Sequence, residues 1–270
     1  MTTRARAGLW AVAAAVLIFV YVPLAVVGIN SFNSDRTFGW PPPSLTLKWW
    51  RLAAAAQGPR DALWTSVQAG VGATALALVL GSLLSFALTR YAFFGRQPIS
   101  LLVVLPIALP GIVTGVALQS VIQNVLGPVF GVNAGLFTII VGHTTFCIVV
   151  VFNNVTARLR RFGASLEAAS ADLGARPWTT FRLVTFPLLR SALLAGALLA
   201  FALSFDEIVV TTFTAGPGSP TLPIWIFNNL FRPNQAPVVN VVAVILVLVS
   251  IAPVWLAQRL GGSAAAESRL

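Results

Sequence analysis

The chain has 270 residues, 57% of them hydrophobic and only 9% charged, with a mean hydropathy of +0.88. Soluble domains carry roughly 25% charged residues, so this composition excludes a soluble fold and specifies a polytopic membrane protein. A net charge of +10 would point to nucleic acid in a soluble chain; here the arginines cluster in short gaps between apolar runs, where retention of positive charge on the inner side explains them and disfavours nucleic-acid binding.

Arg4 and Arg6 precede an apolar run at 8–29 and begin like a signal peptide. As a helix that run is about 33 Å long, a full crossing rather than a signal-peptide core, and it reads as an uncleaved first span. Further apolar segments follow at about 62–88, 99–121, 134–157, 189–213 and 237–258, each long enough to cross a bilayer. With the N-terminus inside, the outer segments hold five of the seventeen basic residues, Arg36, Lys48, Arg51, Arg60 and Arg232, and the inner segments hold the rest. That inequality orients the chain with both termini cytoplasmic. The expected fold is all-α, with six transmembrane helices in one domain over 1–260; the small, polar 261–270 reads as a disordered tail.

The first outer segment contains "WPPPSLTLKWWRL", Trp40 to Leu52, whose prolines bar a regular span and whose tryptophans suit the membrane–water interface. Pro106 and Pro110 fall inside the expected third span, where a membrane helix tolerates a kink when neighbours resatisfy the freed carbonyls. Cys147 and His143 are the sole residues of their kinds, which leaves no intramolecular disulfide and no metal-ligand cluster. Each is expected to be packed or hydrogen-bonded within the helix bundle. The last long outer segment, Ala215 to Pro237, surrounds an apolar piece, Leu222 to Phe231, with prolines and glycines and is expected to form one interfacial helix.

The longest inner loop, 158–188, reads "RLRRFGASLEAASADLGARPWTTFRLVTFP" from its first residue to Pro187. Ser165 is placed to cap a helix, Glu167 favours its positive end, and "EAASADL" is a good helical run with small residues that admit close approach of another surface. Gly174 is expected to end that helix, Pro177 to open a second, and Pro187 to stop the second before span five. Two short helices and a turn beneath the membrane make a rigid lever for a soluble partner.

This loop resembles the motif of the membrane-spanning subunits of bacterial ABC importers: EAA, three residues, Gly, nine residues, Ile, one residue, Leu-Pro. Counted back from Pro187, Phe186, Val184 and Gly174 stand at the family's offsets. Ala168 occupies the position of the glutamate, and Glu167 stands one residue early, about 100° around a helix. Together with "INSFN" at the end of span one and "FALSFDEIVVTTFTAGP" after the loop, the chain is similar to the polyamine (spermidine/putrescine) permeases over nearly its whole length. The resemblance implies the type I ABC importer permease fold in the bacterial plasma (inner) membrane, with a coupling helix between spans four and five. It also implies a second homologous permease subunit in a heterodimer, two ATPase subunits and an external substrate-binding protein. Glu167, Ala168, Ala169, Asp172, Gly174 and Pro187 would meet the ATPase. ATP and magnesium would be held there, since this non-catalytic chain has no GxxxxGK[ST] and no cofactor of its own.

Asp206 and Glu207 lie side by side in a run that is otherwise apolar or hydroxyl-bearing, at the outer part of the fifth apolar segment. Ionisable groups at such depth are costly unless they face water, a partner or a substrate. A polyamine, a flexible chain of ammonium groups, needs carboxylates to replace its hydration and aromatic faces to attract its charge. Asp206 and Glu207 supply the first, with Phe201, Phe205 and Phe213 as aromatic candidates. On a continuous helix the two carboxylates would point about 100° apart, so one would face the pathway and the other a neighbouring span or subunit. Asp206→Asn is expected to lower transport sharply while the complex still assembles.

Other classes fit less well. Aminoethylphosphonate, ferric iron or thiamine permeases share the implied fold, but an anionic substrate would meet the two carboxylates unfavourably. A secondary transporter would need coupling-ion ligands and usually an inverted repeat of broken helices, and no convincing internal repeat is legible. An intramembrane enzyme could use Ser204, yet His143 belongs to another span and nothing in the sequence pairs the two.

Overall fold

The computed structural model describes residues 3–36, 40–232 and 235–266. Among these residues six helical stretches are long and apolar enough to cross a membrane: Ala5–Asn30, Gln57–Arg90, Gly111–Phe130, Leu136–Phe162, Pro177–Phe205 and Ala236–Arg259. Extended pairing among the described residues is limited to one bridge between Asn33 and Leu45. The chain is thus all-α with six spans, as expected, although the third and fifth are placed differently. It falls into two compact units: the residues up to Arg60 with Trp225–Leu248, and Asp61–Ile224 with the residues from Val249 onward.

In the first unit, helix α1 (Thr3–Asn30) exposes apolar side chains such as Leu9, Trp10, Phe19 and Tyr21, as contact with lipid requires. The "INSFN" string ends it. Ser31 Oγ donates to Gly28 O at 2.6 Å, and the buried Asn33 accepts Asp35 N–H on its side chain (2.9 Å) and Trp49 Nε1–H on its carbonyl (2.7 Å). Thr46 N–H bonds Phe32 O, and the Phe32 ring stacks on Trp50 at 5.3 Å. These contacts fold the proline-rich segment back on the end of α1 and lead directly into α2 (Lys48–Ala55).

In the second unit, α3 (Gln57–Arg90) buries a stripe of small residues, Ala62, Ser66, Ala69, Ala73 and Ala77, at helical spacing. Small side chains let helix backbones approach closely where lipid provides no hydrophobic drive between helices. Further along, a Cβ on Gly81 would press on Ile148 O, and Ser85 Oγ reaches Phe152 O at 3.1 Å. The helix carrying those acceptors, α7 (Leu136–Phe162), is the centre of the unit: Phe146, Cys147, Val151, Val155 and Leu159 pack with Ala77, Leu189, Ala200 and Val210.

The expected third span, 99–121, is not one helix. Leu109, restricted to extended backbone by the proline after it, sits at φ −78°, ψ 143°, and separates α4 (Arg96–Ala108) from α5 (Gly111–Val121). Pro110 therefore breaks the helix instead of kinking it, and the span begins at Gly111. It continues through a π-helical stretch, Ile122–Leu126, into α6 (Gly127–Phe130).

After α7 come α8 (Ser165–Asp172) and α9 (Pro177–Thr180), then a second π-helical stretch, Phe181–Thr185, and α10 (Phe186–Phe205). Pro187 does not stop the helix, contrary to the expectation. In an α-helix its ring would collide with the carbonyl four residues back, Leu183, and that residue lies in the wider π turn. Pro128 stands in the same relation to Asn124 in the earlier π stretch. The fifth span accordingly runs unbroken from Pro177 and ends at Phe205. The short α11 (Val209–Thr214) follows, then α12 (Leu222–Asn229), which ends two residues before the expected Phe231. The last helix, α13 (Ala236–Ala266), runs into the segment expected to be a disordered tail; residues 267–270 lie outside the described residues.

Candidate functional site

Asp206 closes α10 and Glu207 precedes α11, so the acidic pair occupies a helix break rather than a helix. Asp206 leaves the helical backbone at φ −98°, ψ 5° and is exposed. Glu207 is half-buried, and its Oε1 accepts the N–H of Val210 at 2.9 Å, satisfying a free donor at the start of α11. The second carboxylate oxygen keeps its accepting capacity. Neither acid forms an ion pair among the described residues.

Glu207 lines a cleft of about 250 Å³ together with Pro106, Gly111, Thr114, Phe146 and Val210. The break after α10 thus faces the break at Leu109–Pro110. Two interruptions of regular helix meet at one cavity, which is where irregular backbone at membrane depth is tolerated. The hydroxyl of Thr114 is buried there without a hydrogen-bond partner. Thr114, Pro106 and Gly111 carried no signal in the sequence beyond the two prolines of "VLPIALPG".

The break is held open by His143. Its Nδ1 lies 2.7 Å from Ser204 Oγ on α10 and its Nε2 2.8 Å from Thr211 Oγ1 on α11, so one buried ring ties the two sides of the acidic turn to α7. Thr211 Oγ1 also donates to Glu207 O at 2.8 Å, which leaves it as acceptor to the ring Nε2–H and makes Ser204 the donor to Nδ1. Ser204 and His143, which the sequence did not pair, are therefore hydrogen-bonded, but both are buried and both ring nitrogens are occupied, as in a brace. His143→Phe strands the buried Ser204 hydroxyl, worth about 1–3 kcal/mol, and takes from Thr211 Oγ1 the proton it accepts while leaving its bond to Glu207 O. The expected result is a clear fall in the unfolding temperature of the purified protein, read by a thermal-shift assay in detergent.

The aromatic candidates separate. Phe205 is 1% exposed and packs in the core, so it does not face a pathway; the apolar run around it offered no sign of which side of α10 the bundle would cover. Phe201 stacks on Phe205 at 5.6 Å and fills the space over Gly70. Phe213 lies against Gly115 on α5, where a Cβ would have no room.

A second cluster forms at the loop helix. Glu167 pairs with Arg90, the last residue of α3: Arg90 Nε donates to Oε2 at 2.7 Å and Nη2 to Oε1 at 3.3 Å. Arg90 also donates to Gly163 O (2.6 Å), and Thr185 Oγ1 donates to Glu167 Oε1 (3.1 Å). Glu167 therefore pins α8 to α3 and to the π stretch at the base of span five. Ser165 is the first residue of α8 and makes no capping bond, against expectation; the turn at Gly163 (φ 59°) brings the chain in instead. Gly174, at φ 81°, ends α8 with Ala175 N–H on Ser170 O and Gly174 N–H on Ala171 O, the 6→1 and 5→2 bonds of a Schellman turn. Ala168, Ala169, Asp172 and Gly174 are exposed, flanked by Leu173 and Trp178 at 89% and 70% exposure. Pro187 is also exposed, on α10.

Residues 73–263 match the family model described as the inner membrane component of binding-protein-dependent transport systems. The chain belongs to this family. As a binding-protein-dependent permease it is a multi-pass inner-membrane transport component, and its resemblance to the polyamine permeases has a counterpart among curated relatives. It is 33% identical to the spermidine/putrescine transport system permease protein PotC of Escherichia coli (strain K12) over 244 residues, 90% of each chain. It is 29% identical to the putrescine transport system permease protein PotI of the same organism, covering 84% of this chain and 81% of PotI. A putative 2-aminoethylphosphonate transport system permease protein, PhnV of Salmonella typhi, is 32% identical, covering 92% of this chain and 91% of PhnV. The permease shares its fold with a crystal structure of a bacterial ABC transporter involved in the import of the acidic polysaccharide alginate, at a TM-score of 0.72 and 12% identity, covering 94% and 93% of the two chains.

Proposed function

We propose that this chain is one permease half of an ATP-driven importer and passes a polyamine, putrescine or spermidine, across the inner membrane. The observation that carries the reading is the unpaired acidic turn, Asp206–Glu207, set at a helix break beside a cleft. Carboxylates without an arginine partner are costly in an apolar setting, and an ammonium ion arriving in the cleft would offset that cost. The likeness to PotC and PotI supports the same substrate class.

A second homologous permease completes the pathway, an external binding protein delivers the polyamine, and two ATPase subunits hold ATP and magnesium; the chain itself needs no cofactor. Both termini lie in the cytoplasm, which places α8 there as the coupling helix. Its exposed face, Ala168, Ala169, Asp172 and Gly174, meets the ATPase, while Glu167 transmits the ATPase's movement inward through Arg90. Pro187, on the exposed side of α10, adjoins that contact.

PhnV favours a second reading, import of aminoethylphosphonate, which carries an amine but also a phosphonate. Uptake of labelled putrescine, spermidine and aminoethylphosphonate separates the two in cells that lack their own importers and express this permease with its partners. Polyamine uptake alone is the expected result. Phosphonate uptake without polyamine uptake would overturn the proposal.

A further inference from the structure

The cavity beside the loop end of the bundle is lined by Thr89, Arg96, Gln97, Ser100, Thr156 and Arg160, with Leu88 and Phe152 as apolar wall, and has a volume of about 290 Å³. It shares no residue with the cleft at Glu207. No carboxylate lines it, and neither arginine forms an ion pair among the described residues. Arg90, next to Thr89, is committed to Glu167 instead.

Arginines at a membrane boundary are ordinary retention signals, so charge alone would carry nothing. The hydroxyls add a second observation. In membrane helices a threonine usually donates to the carbonyl a turn earlier, and Thr144, Thr145, Thr212 and Thr214 do so here. Thr156 and Thr89 do not: their Oγ1 atoms are buried with no partner, and Thr156 is only 7% exposed. Thr156 stands one helical turn before Arg160, so hydroxyl and guanidinium share a face of α7. Arg96 is the first residue of α4, whose positive end also favours an anion.

We infer that this cavity binds a phosphate group, either free or as the headgroup of an anionic phospholipid. Two guanidinium forks hold the oxygens, two buried hydroxyls donate from below and the Gln97 amide adds a neutral N–H donor, with no carboxylate in the lining to compete. Leu88 and Phe152 suit the glycerol and first methylenes of a lipid, and basic pockets between membrane helices are known places for anionic headgroups.

The test uses the permease purified in detergent with its partner subunits, and dioctanoyl phosphatidylglycerol, dioctanoyl phosphatidylcholine and inorganic phosphate as probes, with binding read by equilibrium dialysis. Phosphatidylglycerol is expected to bind the wild type, and the Arg96→Gln/Arg160→Gln protein at least tenfold more weakly. Thr156→Val is expected to weaken binding severalfold; the arginine pair is exposed, so its replacement tests the site even if the buried threonine proves essential for assembly. Preference for phosphatidylglycerol over phosphate identifies a headgroup, and phosphate binding that is lost in the arginine variant identifies a free oxyanion. Absence of binding to the wild type, or equal binding to wild type and double arginine variant, would overturn the site.

Discussion

Glu207→Gln is expected to lower polyamine uptake at least tenfold without loss of the assembled complex. Glutamine keeps the shape and an amide oxygen to accept the N–H of Val210, so the start of α11 stays capped. What disappears is the negative charge at the cleft. An ammonium leaving water needs that charge, and a tenfold effect asks for only about 1.4 kcal/mol, well within the interaction of two unit charges at close range near a protein surface. Asp206→Asn should lower uptake too, by less, because Asp206 is exposed and is not among the residues that line the cleft. Uptake is measured in cells with complex assembly followed by co-purification. Assembly lost in both variants would show that the pair serves packing at a subunit interface.

Arg90→Ala is expected to uncouple transport from ATP hydrolysis. The substitution removes the bidentate contact to Glu167 and the bond to Gly163 O together, with the side chains of the pair only 14% and 20% exposed. Breaking a fully buried pair from one side costs about 3–5 kcal/mol; at this exposure about 2–3 kcal/mol is expected, enough to free α8 from α3. ATP hydrolysis by the purified complex should persist while uptake falls more than tenfold. Glu167→Gln, which can still accept one arginine bond, should be milder than Glu167→Ala. Coupled transport at wild-type rate in Arg90→Ala would mean that the exposed face of α8 acts without this anchor.

Span number and helical class were legible because lipid imposes them on composition: some twenty apolar residues in a row have few alternatives. The boundaries were less so. Hydropathy runs unbroken across Leu109 and Pro110, and the pre-proline restriction that splits α4 from α5 leaves no trace in an apolar average. The π stretches were equally silent, since a wider turn before Pro128 or Pro187 changes hydrogen-bond register and not residue type. Asp206 and Glu207 stood out as charges in an apolar run, yet their setting at a helix break depends on His143 bridging Ser204 and Thr211, partners 61 and 68 residues away. The Arg90–Glu167 pair spans 77 residues and could not be read from the loop motif, in which the displaced glutamate alone was visible.

The most direct test of the acidic break as the route of a cation is ATP-driven accumulation of labelled putrescine in proteoliposomes. These would hold the full complex with its binding protein, either wild type or Asp206→Asn/Glu207→Gln, with ATP hydrolysis recorded alongside. Accumulation by the wild type, and hydrolysis without accumulation in the doubly neutral variant, is the predicted result. Equal accumulation in both would contradict the account and remove the carboxylates from the pathway.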